Sequence, residues 1–421
     1  MKKIFTLTFL LSVICATVSA QSGVRFLNRV FTDIQLSDGI LYSTVAPVTD
    51  ENNLESLYFD FYEPVDDTMS RRPLVILVFG GAFVGGGRQW IDMVSFADSL
   101  CHYGYTVASI DYRLLSLLRI NETNFIRDAY GAAQDVSAAI RFFKGNADTY
   151  RIDTNQIFLM GNSAGTIASM HAVWMDDNER PVETYEDEGG LFGIGAHHDL
   201  GGIHTAGYEE FLSYSPRVAG LIAQWGGVLD TNIINSDDQT PVCFIHGTAD
   251  ESVSFYSGVP YESNFLGIST LVLPVVYGSY FLNQRCNSLG IDHEFHIFEG
   301  EEHCFYLDGW TTLLPEKLDT CFRIALNFMA RYNTHIQWPS QIVESATNQV
   351  SIFPNPAKEN VRIRLENLDT HFTYLLTDLC GKTIQVGENE QIINISGLPN
   401  GIYLLQINTD NFTHTEKIIK E

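Results

Sequence analysis

The sequence predicts an α/β domain, a mostly parallel sheet covered by helices, followed by a small C-terminal all-β sandwich. Three observations carry this. Between about residues 57 and 330, short runs of β-branched and aromatic residues alternate with stretches of helical periodicity. From residue 350 onward helical periodicity disappears, and short strand patterns follow one another across turn residues. The chain has 421 residues, 45% of them hydrophobic, enough to bury a core in more than one domain.

Strands of the first unit read at 57–62, 73–79, 106–112, 156–160, 220–225, 242–246 and 294–299. Most are unbroken apolar runs, as expected of strands with helices on both faces. The clearest helix spans 124–144, where Ala129, Ala133, Val136, Ile140 and Phe143 recur at helical spacing. A last helix reads at 317–332. The segment 176–213 breaks the rhythm. It opens acidic, then turns glycine-rich, and reads as a cap-like insertion over a site. Phe192, Ile194, Leu200 and Tyr208 are its candidates for lining an acyl pocket. Residues 335–349 are polar and unpatterned, a linker. The sandwich follows at 350–421, with Pro354-Asn355-Pro356 and Pro399-Asn400-Gly401 among its turns.

The first twenty residues read as a secretory signal peptide. Lys2 and Lys3 precede an apolar run, and Val18-Ser19-Ala20 offers small residues for cleavage. Cys15 suggests a lipoprotein alternative, but Ile14 stands where lipid attachment wants a small residue. The first unit then covers 21–334. Lys+Arg number 25 against Asp+Glu 51, a formal charge of −26. With no basic run, nucleic acid and anionic membrane surfaces are poor partners. No later segment is apolar for long enough to insert stably in a membrane. Six cysteines remain beyond the leader, without a CxxC pair. They allow fifteen pairings, and buried free thiols are the plainer expectation.

The chemistry centres on Gly161-Asn162-Ser163-Ala164-Gly165, a GxSxG between a strand and a helix. Such a turn pushes its central hydroxyl out of the sheet, beside a helix N-terminus that favours developing negative charge. A serine nucleophile needs a base and an orienting carboxylate. Asp250 stands just past the strand 242–246 in His246-Gly247-Thr248-Ala249-Asp250, and His303 just past 294–299. Phe79-Gly80-Gly81-Ala82-Phe83 also follows a strand. The backbone amides of Gly81, Ala82 and Ala164 are the candidate oxyanion donors. Glu299, Glu301 and Glu302 flank His303 and should raise its pKa. His246 reads as part of its strand-end motif and His171 as packing. His197, His198, Asp199 and His204 could gather around a metal, but no second set of spaced ligands accompanies them. No metal and no cofactor is implied.

With Leu57 to Pro64, Asp111-Tyr112-Arg113-Leu114 and His303-Cys304-Phe305, these motifs resemble the α/β-hydrolase fold. Within it they resemble secreted carboxylesterase-like enzymes near the hormone-sensitive-lipase and feruloyl-esterase groups. One departure is Phe79, where that family usually has His. The resemblance implies a Ser163–Asp250–His303 triad and a carboxylic ester hydrolase working through an acyl-enzyme. A serine peptidase of the prolyl-oligopeptidase type shares this residue order, but the chain has no room for a propeller. A non-catalytic surface-binding protein would have no reason to keep all three residues. The ester itself, small-molecule or polysaccharide-linked, is left open. Ile352 to Ala357, Leu398 to Leu404 and the basic end Lys417-Ile418-Ile419-Lys420 resemble the C-terminal sorting domain of type IX secretion (Por secretion system) substrates. That resemblance implies the type IX machinery as a partner, and passage through the periplasm to the medium or cell surface.

Overall fold

The computed structural model describes residues 25–50, 52–189, 196–261, 273–309, 311–336, 350–365, 371–379, 382–409 and 413–421. The expected signal peptide, most of the expected linker, Phe192, Ile194 and Cys380 lie outside the described residues.

The first unit is built on an eight-stranded sheet. Its strands are β1 (Ile34–Val45), β2 (Glu55–Pro64), β3 (Arg72–Val78), β4 (Thr106–Ile110), β5 (Ile152–Asn162), β6 (Gly220–Gln224), β7 (Val242–Gly247) and β8 (His293–Phe298). The order across the sheet is β1-β2-β4-β3-β5-β6-β7-β8. β1 and β2 run antiparallel to their neighbours and the rest are parallel. The helices are α1 (Ile91–His102), α2 (Glu122–Gly145), α3 (Ala147–Tyr150), α4 (Ala164–Trp174), α5 (Ser279–Leu289) and α6 (Pro315–Tyr332). β3 is buried at every residue, the reason it reads as an unbroken apolar run.

α2 starts where the Asn121 side chain accepts a hydrogen bond from the Asn124 amide at 2.9 Å. α6 starts with Pro315 in its first turn and carries Arg331 in its last. Its Phe322, Leu326 and Met329 face the core. The sequence reading omits β1. That strand lies at the sheet edge with many exposed positions, so it has no continuous apolar signal.

The described parts of 176–213 are strapped to α2 by buried donors. Arg127 Nη1 donates to Glu183 O at 2.7 Å and Nη2 to His198 O at 2.8 Å. Gln134 Nε2 donates to Leu200 O and Gly202 O at 2.7 and 2.8 Å. Arg141 donates to His204 O and Ala206 O. Leu200 and Tyr208 are half-buried against the main core. Cys101, Cys243, Cys286, Cys304 and Cys321 are buried free thiols.

The second unit has two antiparallel sheets. One holds β9 (Val350–Phe353), β10 (Asn360–Leu365) and β13 (Ile392–Asn394). The other holds β11 (Phe372–Asp378), β12 (Thr383–Glu388), β14 (Gly401–Thr409) and β15 (Thr413–Lys420). β10 alternates exposed and buried along its length, and its inward side chains Val361, Ile363 and Leu365 meet Phe372, Tyr374 and Leu405. Leu379 packs with the core of the first unit. Among the described residues no helix is long and apolar enough to cross a membrane.

Candidate active site

β5 ends at Asn162 and α4 begins at Ala164, which leaves Ser163 alone in the turn at φ 51°, ψ −121°. A non-glycine residue there stores about 1–3 kcal/mol of backbone strain. The flanking glycines make the turn sterically possible. A Cβ on Gly165 would lie 2.1 Å from Val78 O, and one on Gly161 would lie 2.7 Å from the Gly165 backbone. The Ser163 amide donates to Gln224 O at 3.0 Å, which ties the turn to β6.

β7 and β8 are parallel neighbours, with Gly247 opposite Phe298. Both strands therefore stop at the same level, and the loops beyond them deliver Asp250 and His303 side by side. His303 Nδ1 lies 2.7 Å from Asp250 Oδ2, and His303 Nε2 lies 2.8 Å from Ser163 Oγ. The imidazole donates to the carboxylate and accepts the serine hydroxyl. Asp250 Oδ1 accepts the amides of Ser252 and Val253 at 2.9 and 2.8 Å. All three residues are buried or nearly so, with Ser163 3% exposed.

Burial works against the charge on Asp250, but His303 and the hydrogen bonds of both neighbouring histidines outweigh it and hold the carboxyl well below its usual range. Burial likewise pushes His303 down, yet its interactions with Cys304 and Asp250 prevail and hold it above the ordinary histidine value. The sequence reading assigns that rise to Glu299, Glu301 and Glu302. In the structure Glu301 pairs with Lys317 at 2.5 Å and Glu299 accepts from Thr248 at 3.2 Å.

The loop after β3 lies against Ser163, since a Cβ on Gly80 would stand 3.0 Å from Ser163 Cβ. Gly81, Ala82 and Phe83 all have positive φ, at 126°, 56° and 62°. The Val84 and Gly85 amides both fold back on Gly81 O. The Ala164 amide is the first of α4 and has no acceptor within its own helix. Phe79 stacks on Tyr112 at 4.3 Å and accepts the Tyr112 hydroxyl on its carbonyl at 3.0 Å. An aromatic pair thus stands where the resembled family has a histidine.

Two groups at the site went unnoticed in the sequence. The buried Tyr261 side chain stands beside Ser163 and His303, from a residue at φ 55°. Behind the turn, Asn162 Nδ2 donates to Asp92 Oδ2 at 2.6 Å, and the Tyr306 hydroxyl reaches the same oxygen at 3.2 Å. No local pattern marks a tyrosine or an aspartate that acts through tertiary contact alone. Elsewhere, Asp199 pairs with Arg180 and His204 bonds Ser137. Among the described residues the side chains that could share one metal ion are Cys243, Glu294 and His296, and Glu294 also binds Arg331 at 2.6 Å.

Residues 59–196 match the BD-FAE family model, and residues 351–421 match that of the secretion system C-terminal sorting domain. A probable isoprenylcysteine alpha-carbonyl methylesterase of Oryza sativa subsp. japonica is 31% identical over 218 residues, 46% of each chain. One of Arabidopsis thaliana is 24% identical over 215 residues, again 46% of each. The chain thus spans about half the length of the curated relatives it matches. Among solved structures, Thermogutta terrifontis esterase 2 aligns with a TM-score of 0.47 at 16% identity, covering 71% of this chain and 94% of that one. A truncated carbohydrate esterase from gut microbiota aligns at 0.44 and 19%, covering 72% and 97%. The sheet order and the turn at Ser163 lead to one statement: this is a chain of α/β-hydrolase fold, in which one segment is similar to the BD-FAE family and the C-terminal unit to a secretion system sorting domain.

Proposed function

We propose that the chain is a secreted serine hydrolase that cleaves carboxylic esters. The observation that carries the reading is the unbroken line from Ser163 Oγ to His303 Nε2 at 2.8 Å and from His303 Nδ1 to Asp250 Oδ2 at 2.7 Å. Ser163 attacks the ester carbonyl as His303 takes its proton. The oxyanion lies against the amides of Gly81, Ala82 and Ala164. His303 returns the proton to the departing alcohol, and Asp250 holds the imidazole in the required tautomer throughout. Water then enters by the same route and releases the acid. The similarity to probable methylesterases supports an ester over a peptide bond. The sorting domain marks the chain for the cell exterior. An N-terminal signal peptide would bring it to the periplasm first.

The test is Ser163→Ala on the purified protein. Hydrolysis of nitrophenyl acetate and butyrate should fall by about 10⁴-fold or more. Wild type should label with a fluorophosphonate and the variant should not. Equal labelling of the two proteins would remove Ser163 as nucleophile. Methyl ferulate, acetylated xylan and a prolyl peptide in the same assay separate the substrate classes.

A further inference from the structure

His246 is fully buried near the end of β7, and both of its ring nitrogens are engaged. Nδ1 lies 2.8 Å from Ser279 Oγ, at the first residue of α5. Nε2 lies 3.0 Å from Val253 O and 3.2 Å from Asp250 Oδ2. A backbone carbonyl can only accept, so Nε2 carries a hydrogen. That hydrogen is shared between Val253 O and Asp250 Oδ2. The same Oδ2 accepts His303 Nδ1–H at 2.7 Å from the other side. Ser279 occupies Nδ1, and Phe255 lies edge-on to the ring at 5.6 Å. Together with the contacts of Nε2 they hold the ring plane.

We propose that His246 is a positioning residue for the Asp250–His303 pair. It holds the shared oxygen in line with the catalytic imidazole and draws off part of its negative charge. The proposal rests on the triad reading above. A carboxylate oxygen that already accepts one N–H pulls less strongly on the next. Without His246 that oxygen belongs to His303 alone, the imidazolium is better stabilised, and a higher pH is needed to free the base. Among the described residues, the ionisable side chains that face His303 and Asp250 from other positions include Cys304 and Tyr261. Neither changes in the experiment below.

The experiment compares wild type, His246→Leu, His246→Gln and Ser279→Ala by the pH dependence of kcat/KM on a neutral short ester. His246→Leu should move the acid limb upward by about half a unit and lower kcat about tenfold, with KM little changed. His246→Gln keeps an N–H donor and should recover most of both effects. Ser279→Ala leaves the ring in place but free to turn, and should shift the limb in the same direction by less. A folded His246→Leu enzyme with the wild-type limb and kcat overturns the proposal. If that variant does not fold, an unmoved limb in Ser279→Ala overturns it instead. Fluorophosphonate labelling of wild-type Ser163 keeps the two readings apart. Without labelling, the triad reading fails. With labelling and an unmoved limb, only the role of His246 fails.

Discussion

The Ser163 hydroxyl is held by His303, which accepts its hydrogen at 2.8 Å, and the Tyr261 side chain stands beside the pair. Its reactivity follows the charge state of His303, and the sign can be worked out. The folded pKa of His303 is raised, so its pairing with Asp250 stabilises the fold below the unfolded value of about 6.5. That contribution is lost as pH rises through the folded value. The imidazole becomes a base over the same range. Asp250 is depressed, so its contribution is present above about 3.9 and lost as pH falls through the folded value. The acid limb of kcat/KM should therefore lie above 6.5, within a range where Asp250 stays ionised. The double change Glu301→Gln and Glu302→Gln should leave the limb in place, because Glu301 is taken up by Lys317. A downward shift measured on a neutral ester would return the effect to those carboxylates. Asp128 titrates in the other sense. It is fully buried on α2, and desolvation raises its pKa well above the carboxylate range against the pull of Arg113. A raised acid loses stability as pH climbs from its unfolded to its folded value. Asp128→Asn should therefore raise Tm by about 2–4 °C at pH 8 and by less at pH 5, read by thermal denaturation. Ser163, Asp250 and His303 were legible as a set because each follows a strand end, and the fold brings their side chains within hydrogen-bond reach of one another. Tyr261 and Asp92 were not, because what they touch is set by elements distant in sequence that meet only in the fold.

Among the elements, the turn between β5 and α4 is the least tolerant. Gly165 lets the first turn of α4 pass directly over the end of β3, so a methyl group there would meet two carbonyl oxygens, those of Val78 and Phe79. Gly165→Ala should cost about 1–3 kcal/mol as overpacking, and should lower kcat on any ester because the strand, helix and nucleophile move together. Urea denaturation together with activity checks this. A variant with wild-type stability would mean that β3 can give way. The central strands were legible for the same reason that they tolerate little: parallel strands buried on both faces are unbroken apolar runs. β1 and β9 were illegible because each is partly exposed and carries no such run. The insertion at 176–213 shows a further limit. Composition marks it as foreign to the strand–helix alternation. What holds it is a set of carbonyl acceptors for Arg127, Gln134 and Arg141, and a carbonyl is the same in every residue. No sequence pattern can announce that kind of attachment.

At the scale of the whole molecule, the two matched segments divide the labour. Ser163, Asp250, His303 and the loop after β3 all precede α6, and most of the main core lies at or before its end at Tyr332, with Ile336 and Leu379 added from beyond it. The β-sandwich has a core of its own around Val361, Phe372, Tyr374 and Leu405. Its strand pattern was legible because one face of each sheet is wet, which yields the alternation seen in β10. Its burial of Leu379 against the first unit was not, since a single leucine in a turn carries no such signal. Removing the sandwich takes nothing from the line between Ser163, His303 and Asp250. It does uncover part of the surface beside β8 and α6, where Phe295 and Ile324 lie across a cleft from Leu379 and Ile402. Truncation after Asn348 should therefore leave kcat/KM on a soluble ester unchanged within about twofold, while lowering Tm by no more than about 2–4 °C, the equivalent of roughly 1 kcal/mol. The larger effect should appear in the cell. A sorting domain is an address read by the secretion machinery, so the truncated enzyme should accumulate in the periplasm of its native host instead of the medium or surface. Cell fractionation followed by ester assay of each fraction measures this directly. Wild-type export of the truncated chain would sink the sorting role. A loss confined to insoluble polysaccharide substrates, with export intact, would turn the sandwich into a binding module instead.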